Sequence, residues 1–481
     1  MPSPTTHHNG PGGARAKYAL SSRFLLLGLT AAPFVLLATL VARYSVDLPC
    51  YDQWDLVPLL ARWAHGQFPL SALWVHNAEH RLFFSRVILL WLARLTAWNT
   101  RVELALNLGV AVLTFGVLAH LLQRCAREAG LTGASWALPV FSLILFGTAQ
   151  IQNWLWGWQL AYFLCVLGVV AGISLLTSVR LTWWRYAGAV AAGVLASYSF
   201  ASGLPYWPLG VIALVTRPAK HRREKLLRVA VWTVVSALVV GAYFHGYQQP
   251  GWHARPSAAL AHPARLLEFA LLQSGFPINS HHPLRTILFG LAAASGALIA
   301  LLRTYRRPVL SALPFGLLAL YALANAVLVG VGRIGFGMEQ AISSRYVTFA
   351  CLFWVGTAGL LALLLAAHRG GGAAARVHVL VPVAAGVALI GLAGAALRTS
   401  LEAVPGYAVV YRERREARAA LLAGRESPAL DVLFPSRPQL WSRAAELRAL
   451  RYSLFREEAA SARSSGSAAQ SRRQRAPVRR Q

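Results

Sequence analysis

The chain alternates long apolar runs with short basic loops along most of its 481 residues. An apolar run of roughly 20 residues matches the hydrocarbon thickness of a bilayer, so the pattern predicts an all-α polytopic membrane protein. About 11 transmembrane helices are expected, at 24–46, 102–122, 136–149, 160–179, 186–200, 206–215, 229–245, 286–302, 309–332, 346–367 and 377–397. A further apolar stretch, 82–98, carries Arg86 and Arg94. On a helix these two arginines fall within about 80° of one another. An arginine at mid-bilayer costs several kcal/mol unless it snorkels or pairs. The stretch therefore reads as an interfacial helix. The shorter stretch 55–65 reads the same way, with Asp55 as its cap and Gly66 at its end.

Charge then sets the orientation. The loops QRCAREAG, VRLTWWRY, RPAKHRREKLLR, RTYRRP and HRGGGAAAR are all basic. Basic short loops stay in the cytoplasm. If 82–98 crossed the membrane, every one of them would face outside, so the charge bias supports the interfacial reading. The expected order is a cytoplasmic basic N-terminus (1–22), a transmembrane domain (23–398) with a first outside loop at 47–101, and a small outside helical region (399–456). A disordered Arg/Ser-rich tail (457–481) follows. The first apolar run lacks a small-residue cleavage site and reads as a permanent anchor. The expected location is the inner or plasma membrane, multi-pass, with the N-terminus inside and the C-terminus outside.

Composition agrees. The chain is 56% hydrophobic and only 13% charged, against about a quarter charged in soluble domains. Its net charge of +29 would invite a nucleic-acid reading. The arginines sit in short loops and in the tail, so they report membrane orientation and no nucleic-acid partner is expected. Cys50, Cys125, Cys165 and Cys351 show no CxxC spacing, so neither a zinc site nor a disulfide framework is expected.

The outside loops hold the varied chemistry. Residues 47–81, DLPCYDQWDLVPLLARWAHGQFPLSALWVHNAEHR, gather Asp47, Asp52, Asp55 and Glu79 with histidines and tryptophans. A carboxylate just past a span can bind a metal or take a proton from an incoming hydroxyl. Asp52, among aromatics, is the first candidate; Asp47 is the second. The alternative for YDQWD is a helix cap with an interfacial tryptophan. In HNAEHR, His76 and His80 are four apart and would share one helical face with Glu79 and Arg81 nearby. This offers substrate or phosphate contact, metal ligation, or a cap; the HExxH order is absent. In GRIGFGMEQAISSRY, Arg333 and Arg345 flank a glycine-rich turn that also carries Glu339 and Tyr346. Guanidinium forks suit phosphate, and snorkelling to headgroups is the alternative. In QIQNWLWGWQ, Asn153 and Trp154 offer hydrogen bonding and stacking for a sugar, or an aromatic belt.

A first span, an outside loop opening with an acid, two interfacial helices, many further spans and a small outer C-terminal region: this order resembles GT-C fold glycosyltransferases. The resemblance rests on architecture across the membrane body, not on a long exact motif. Asp52 and Asp55 stand three apart where many such enzymes carry an adjacent acidic pair, and no WWDYG-like motif is present. The resemblance implies a polyprenyl-phosphate-linked sugar donor and an envelope glycan or lipid acceptor at the outer face. It implies Asp52, or Asp47, as general base or as ligand of a divalent metal such as Mg or Mn. His76, Glu79, His80, Arg81, Asn153, Trp154, Arg333, Glu339, Arg345 and Tyr346 would then bind substrate. Two other classes compete: a transporter or flippase of a lipid-linked or polar solute, and a non-catalytic scaffold for envelope assembly.

Overall fold

The computed structural model describes residues 11–68, 70–218, 221–251, 255–304, 308–369 and 380–456. The tail at 457–481 and residues 1–10 lie outside the described residues. The first apolar run forms α1 (Pro11–Tyr44). A 3-10 turn at Tyr51–Leu56 leads into α2 (Val57–Ala64) and α3 (Leu70–Trp74). A two-stranded antiparallel hairpin follows, β1 (His76–Asn77) with β2 (His80–Arg81), and then α4 (Phe83–Thr96). The membrane body continues through α5 (Thr100–Glu128), α6 (Leu138–Leu145), α7 (Ile151–Leu155), α8 (Leu160–Leu176), α9 (Trp183–Ser197) and α10 (Tyr206–Thr216). It is completed by α11 (Arg222–Phe244), α12 (Pro256–Leu260), α13 (Pro263–Gly275), α14 (Pro283–Thr304), α15 (Pro308–Arg333), α16 (Val347–Arg369) and α17 (Leu380–Leu422). Last comes α18 (Arg437–Leu450).

Eight of these helices are long and apolar enough to cross a membrane: α1, α5, α8, α11, α14, α15, α16 and α17. The three other expected spans are the shorter helices α6, α9 and α10. The bundle has an inside and a rim. The apolar window of α16 is 94% buried, whereas that of α11 is 11% buried. Leu226, Val234 and Leu238 of α11, and Leu288 and Phe289 of α14, are exposed. A contiguous apolar rim of this kind is what lipid covers. Inside, small residues let backbones approach: Gly168 and Gly172, one turn apart on α8, face Ala196 of α9 and the Tyr206 hydroxyl. Tyr206 in turn donates to the Ala189 carbonyl at 2.9 Å. This is the small-xxx-small packing expected where lipid tails compete equally for apolar contact.

The helix ends sort onto two faces. At one face, loops 47–56, 76–81, 147–159, 199–206 and 333–346 meet one another and the C-terminal segment. At the other, the turns at 179–182 and 214–228 come together.

The stretch 82–98 forms α4, a helix of 14 residues. Arg86 is buried there, and burial lowers its guanidinium to about 10. It donates to the carbonyls of Ala72, at 3.1 Å, and Val75. Gly66 ends α2 as expected, with φ +82. Three local expectations are corrected. Asp55 does not cap α2: Leu56 takes that position with Pro58 in the first turn, and Asp55 pairs with Arg443 at 2.7 Å. His76 and His80 do not share a helical face, because the chain turns back on itself between them. Ala78 sits at the turn with φ +51. Nor does the last span stop near residue 397. The 43-residue α17 runs on through Pro405, roughly 65 Å of helix and about twice a bilayer core.

Candidate active site

The turn that carries Asp52 is held from four sides. The Gln53 carboxamide accepts from Cys50 N at 3.1 Å and donates to Glu103 of α5 at 2.5 Å. Trp156 Nε1 donates to the Cys50 carbonyl at 3.0 Å. Tyr51 N donates to the Leu433 carbonyl at 2.5 Å. Tyr51 itself has φ +47, a left-handed conformation that a bulky residue adopts only when its surroundings fix it. These restraints leave the Asp52 carboxylate in a cavity of ≈ 530 Å³, within the range that small-ligand sites occupy.

Asp52 shares this cavity with Asp55, His80, Trp156, Trp158, Tyr162, Phe200, Arg333, Arg345 and Tyr346. Phe434, Pro435 and Gln439, from the C-terminal segment, form another wall. Burial raises the Asp52 carboxyl, and repulsion from Asp55 adds to it. Arg345, His80 and Arg333 oppose that rise in decreasing order. Among the described residues Asp52 has no hydrogen-bond or ion-pair partner within the protein, so its oxygens are available to a ligand. Among the described residues Arg345 donates only to Ser343 Oγ, at 3.4 Å, and it lies beside the Tyr346 ring. It makes no ion pair among the described residues.

Arg333 pairs with Glu79, and Glu79 also meets His80 Nε2 at 3.2 Å. Burial alone would push the Glu79 carboxyl up; His80 and Arg333 outweigh it and hold it well below the usual carboxylate range. The His80 ring stacks on Phe200 at 3.8 Å. Behind this layer lies a second cavity of ≈ 220 Å³. It is lined by Leu204, Phe244, Tyr247, Val329 and Val331, and it shares His80, Phe200, Arg333 and Tyr346 with the first. A polar cavity and an apolar one thus meet at one guanidinium.

The structure separates the sequence candidates. Asp52, His80, Arg333, Arg345 and Tyr346 come together in the polar cavity, with Glu79 on the shared wall. Asp47 does not join them. It accepts from Thr100 N at 2.9 Å and Thr100 Oγ1 at 3.0 Å, at the start of α5, and it pairs with Arg456. Arg81 is also consumed structurally: its guanidinium donates to the carbonyls of Tyr243, Trp74 and His245. His76 donates to the Tyr243 carbonyl at 2.9 Å, and burial followed by the charge of Arg81 pushes its imidazole below the ordinary value. Asn153 acts from behind, donating to the Ser344 and Arg345 carbonyls and to Thr348 Oγ1 at 2.7 Å. Trp154 donates to the Gly147 carbonyl and stacks on Phe163. Glu339 is exposed and outside the cavity lining.

The sequence does not single out Trp156, Trp158, Phe200 or Phe434–Gln439. The first two stand in the same tryptophan-rich motif as Trp154; which of them faces the cavity depends on the turn at 156–159. Among the described residues no three His, Cys, Asp or Glu side chains cluster to hold an ion. Asp55 is taken by Arg443, and two guanidiniums face Asp52, so this donor set does not fit a divalent metal. Comparison with protein-family models, with curated proteins and with solved structures finds no match for this chain.

Proposed function

We propose that the chain is a membrane glycosyltransferase that takes a sugar from a polyprenyl-phosphate donor and passes it to an envelope glycan or lipid acceptor. One observation carries this reading: the carboxylate and arginine cavity adjoins an apolar cavity across Arg333. An amphipathic phosphate ligand has this profile, with its tail in the apolar space, its phosphate at Arg333 and Arg345, and its sugar toward Asp52. The aromatic walls at Trp156 and Trp158 suit a sugar ring.

In the proposed step the acceptor hydroxyl oxygen bonds to the anomeric carbon and its proton goes to Asp52. The bond from that carbon to the phosphate oxygen breaks, and the electron pair leaves with the phosphate. Arg345 and Arg333 stabilise the charge that develops there. No second carboxylate is placed as a nucleophile, so a single displacement inverts the anomeric centre. In this reading α6, α9 and α10 also carry the chain between faces, giving eleven passages. The cavity then faces outside, and the N-terminus is cytoplasmic.

The test supplies purified protein in nanodiscs with a panel of polyprenyl-phosphate sugars and candidate acceptors, and follows polyprenyl phosphate by mass spectrometry. Release by wild type that collapses in a folded Asp52→Asn variant supports the reading. Equal release by both removes Asp52 from the reaction. Absence of release with every donor and acceptor, together with solute movement across the membrane, replaces the enzyme with a carrier.

A further inference from the structure

A second polar cavity lies at the opposite face of the bundle, and nothing in the proposed reaction uses it. Its volume is ≈ 220 Å³, and it is built where α8 and α10 end and α9 and α11 begin. Lys225 and Arg228 line it near the start of α11, whereas Tyr243, near the other end of that helix, lines the apolar cavity described above. The rise from residue 225 to 243 is roughly 27 Å, close to the thickness of a bilayer core. The two cavities therefore belong to opposite membrane surfaces.

Four cations line this pocket, Arg180, Arg217, Lys225 and Arg228, against one carboxylate, Glu224. Glu224 is taken by Arg228 at 2.5 Å. Arg217 is fixed by the Leu176 and Ser178 carbonyls, at 2.7 and 2.5 Å. Lys225 donates to the carbonyls of Val215 and of Arg217, the latter at 3.0 Å. Carbonyls hold these groups in place without neutralising them. Among the described residues Arg180, Arg217 and Lys225 have no carboxylate within 4.0 Å. The depth is marked independently: Trp183 is 49% and Trp184 88% exposed at the start of α9. Tryptophans facing outward at a helix end sit at the headgroup level. Arg228 lies over the Trp183 ring at 5.2 Å.

We infer that this pocket binds the phosphodiester headgroup of an anionic glycerophospholipid. The cations are preorganised, the cavity opens at headgroup depth, and the adjoining rim of α11 is apolar through Leu226 and Leu227. A basic pocket between membrane helices is suited to this ligand, and each cation near the surface contributes about 1 kcal/mol of attraction. The site is independent of the proposed transferase chemistry.

The test is native mass spectrometry of the full chain with phosphatidylglycerol and phosphatidylcholine of identical acyl chains, plus an arm containing inorganic phosphate. Wild type should retain phosphatidylglycerol in preference to phosphatidylcholine. Arg180→Gln and Lys225→Gln should each cut that preference about five-fold, while Arg285→Gln, at the other end of the bundle, should keep it. Thermal midpoints identify folded variants; Arg180→Gln serves if Lys225→Gln unfolds, because the Arg180 side chain makes no hydrogen bond or ion pair among the described residues. Equal retention of both lipids, or an unchanged preference in the folded pocket variants, overturns the inference. Displacement of the lipid by inorganic phosphate also overturns it, in favour of a free-anion site.

Discussion

Gln53 donates its side-chain amide to Glu103 at 2.5 Å, one residue after Asp52. The other Glu103 oxygen accepts from Trp98 Nε1 at 2.7 Å. A single buried side chain thus ties the Asp52 turn to α5 and to Trp98, just past the end of α4. Glu103→Ala should cost about 1–3 kcal/mol for the donors it strands. Turnover should fall further than the loss of folded protein explains, because the turn loses its anchor. The thermal midpoint in detergent and the rate per folded molecule check this together.

Gly157 is the counterpart of that anchor. A Cβ built on it would sit 1.9 Å from Glu103 Oε2. Gly157→Ala should therefore destabilise the protein by about 1–3 kcal/mol through overpacking. In the double variant with Glu103→Ala the contacts with Oε2 and Cδ are gone and the one with Cβ, at 2.7 Å, stays, so its cost should be less than the sum of the two. A double-mutant cycle on thermal or denaturant midpoints reads the coupling.

Asp52 carries a raised carboxyl, from burial and then from Asp55. The folded protein therefore holds this proton to higher pH than the unfolded chain does. Stability contributed by the neutral form is fully present below the ordinary carboxylate range and declines as pH rises through the folded value. Asp52→Asn, which mimics the neutral form, should match wild type at acid pH and exceed it in stability at neutral pH. Activity should run the other way, rising with pH as Asp52 becomes a base. Arg345→Gln should move that limb to higher pH, since Arg345 is the largest of the opposing charges. Unfolding curves and a pH–rate profile check the two signs.

Arg345 and Arg81 should behave oppositely. Arg345 faces the cavity, so Arg345→Ala should leave the fold intact and weaken polyprenyl phosphate binding by about ten-fold or more. Arg81 is spent on three carbonyls, two at the end of α11 and one at the end of α3. Arg81→Ala should lower stability by about 1–3 kcal/mol. Ligand titration beside thermal unfolding separates the two.

Much of this was legible in the sequence, and the rest was not for identifiable reasons. Run length and the residue types within a run are local properties, so among the described residues the expected spans fall on helices. Composition groups the loops onto two faces; contacts join 47–56, 76–81, 147–159, 199–206 and 333–346 at one end, and 179–182 with 214–228 at the other. The site was legible only as a set of residue types. Asp47 and Asp52 look alike in the sequence, but Asp47 accepts from Thr100 N at the start of α5, beside the Asn99 cap. Arg81 and Arg345 look alike until three carbonyls converge on one of them. Trp154 and Trp156 are two residues apart and point into different surroundings. Phe434 and Gln439 reach the cavity through contacts nearly 400 residues from Asp52 along the chain, a distance that no local pattern encodes.

The most direct measurement is a cryo-EM map of the protein in nanodiscs with a bound polyprenyl phosphate. The tail should occupy the space between Phe244, Tyr247 and Val329, and the phosphate should lie against Arg333 and Arg345 on the Asp52 side of the His80–Phe200 stack. A map that seats the lipid elsewhere on the rim, with both arginines untouched and the polar cavity empty, would contradict the claim that the two cavities hold one ligand.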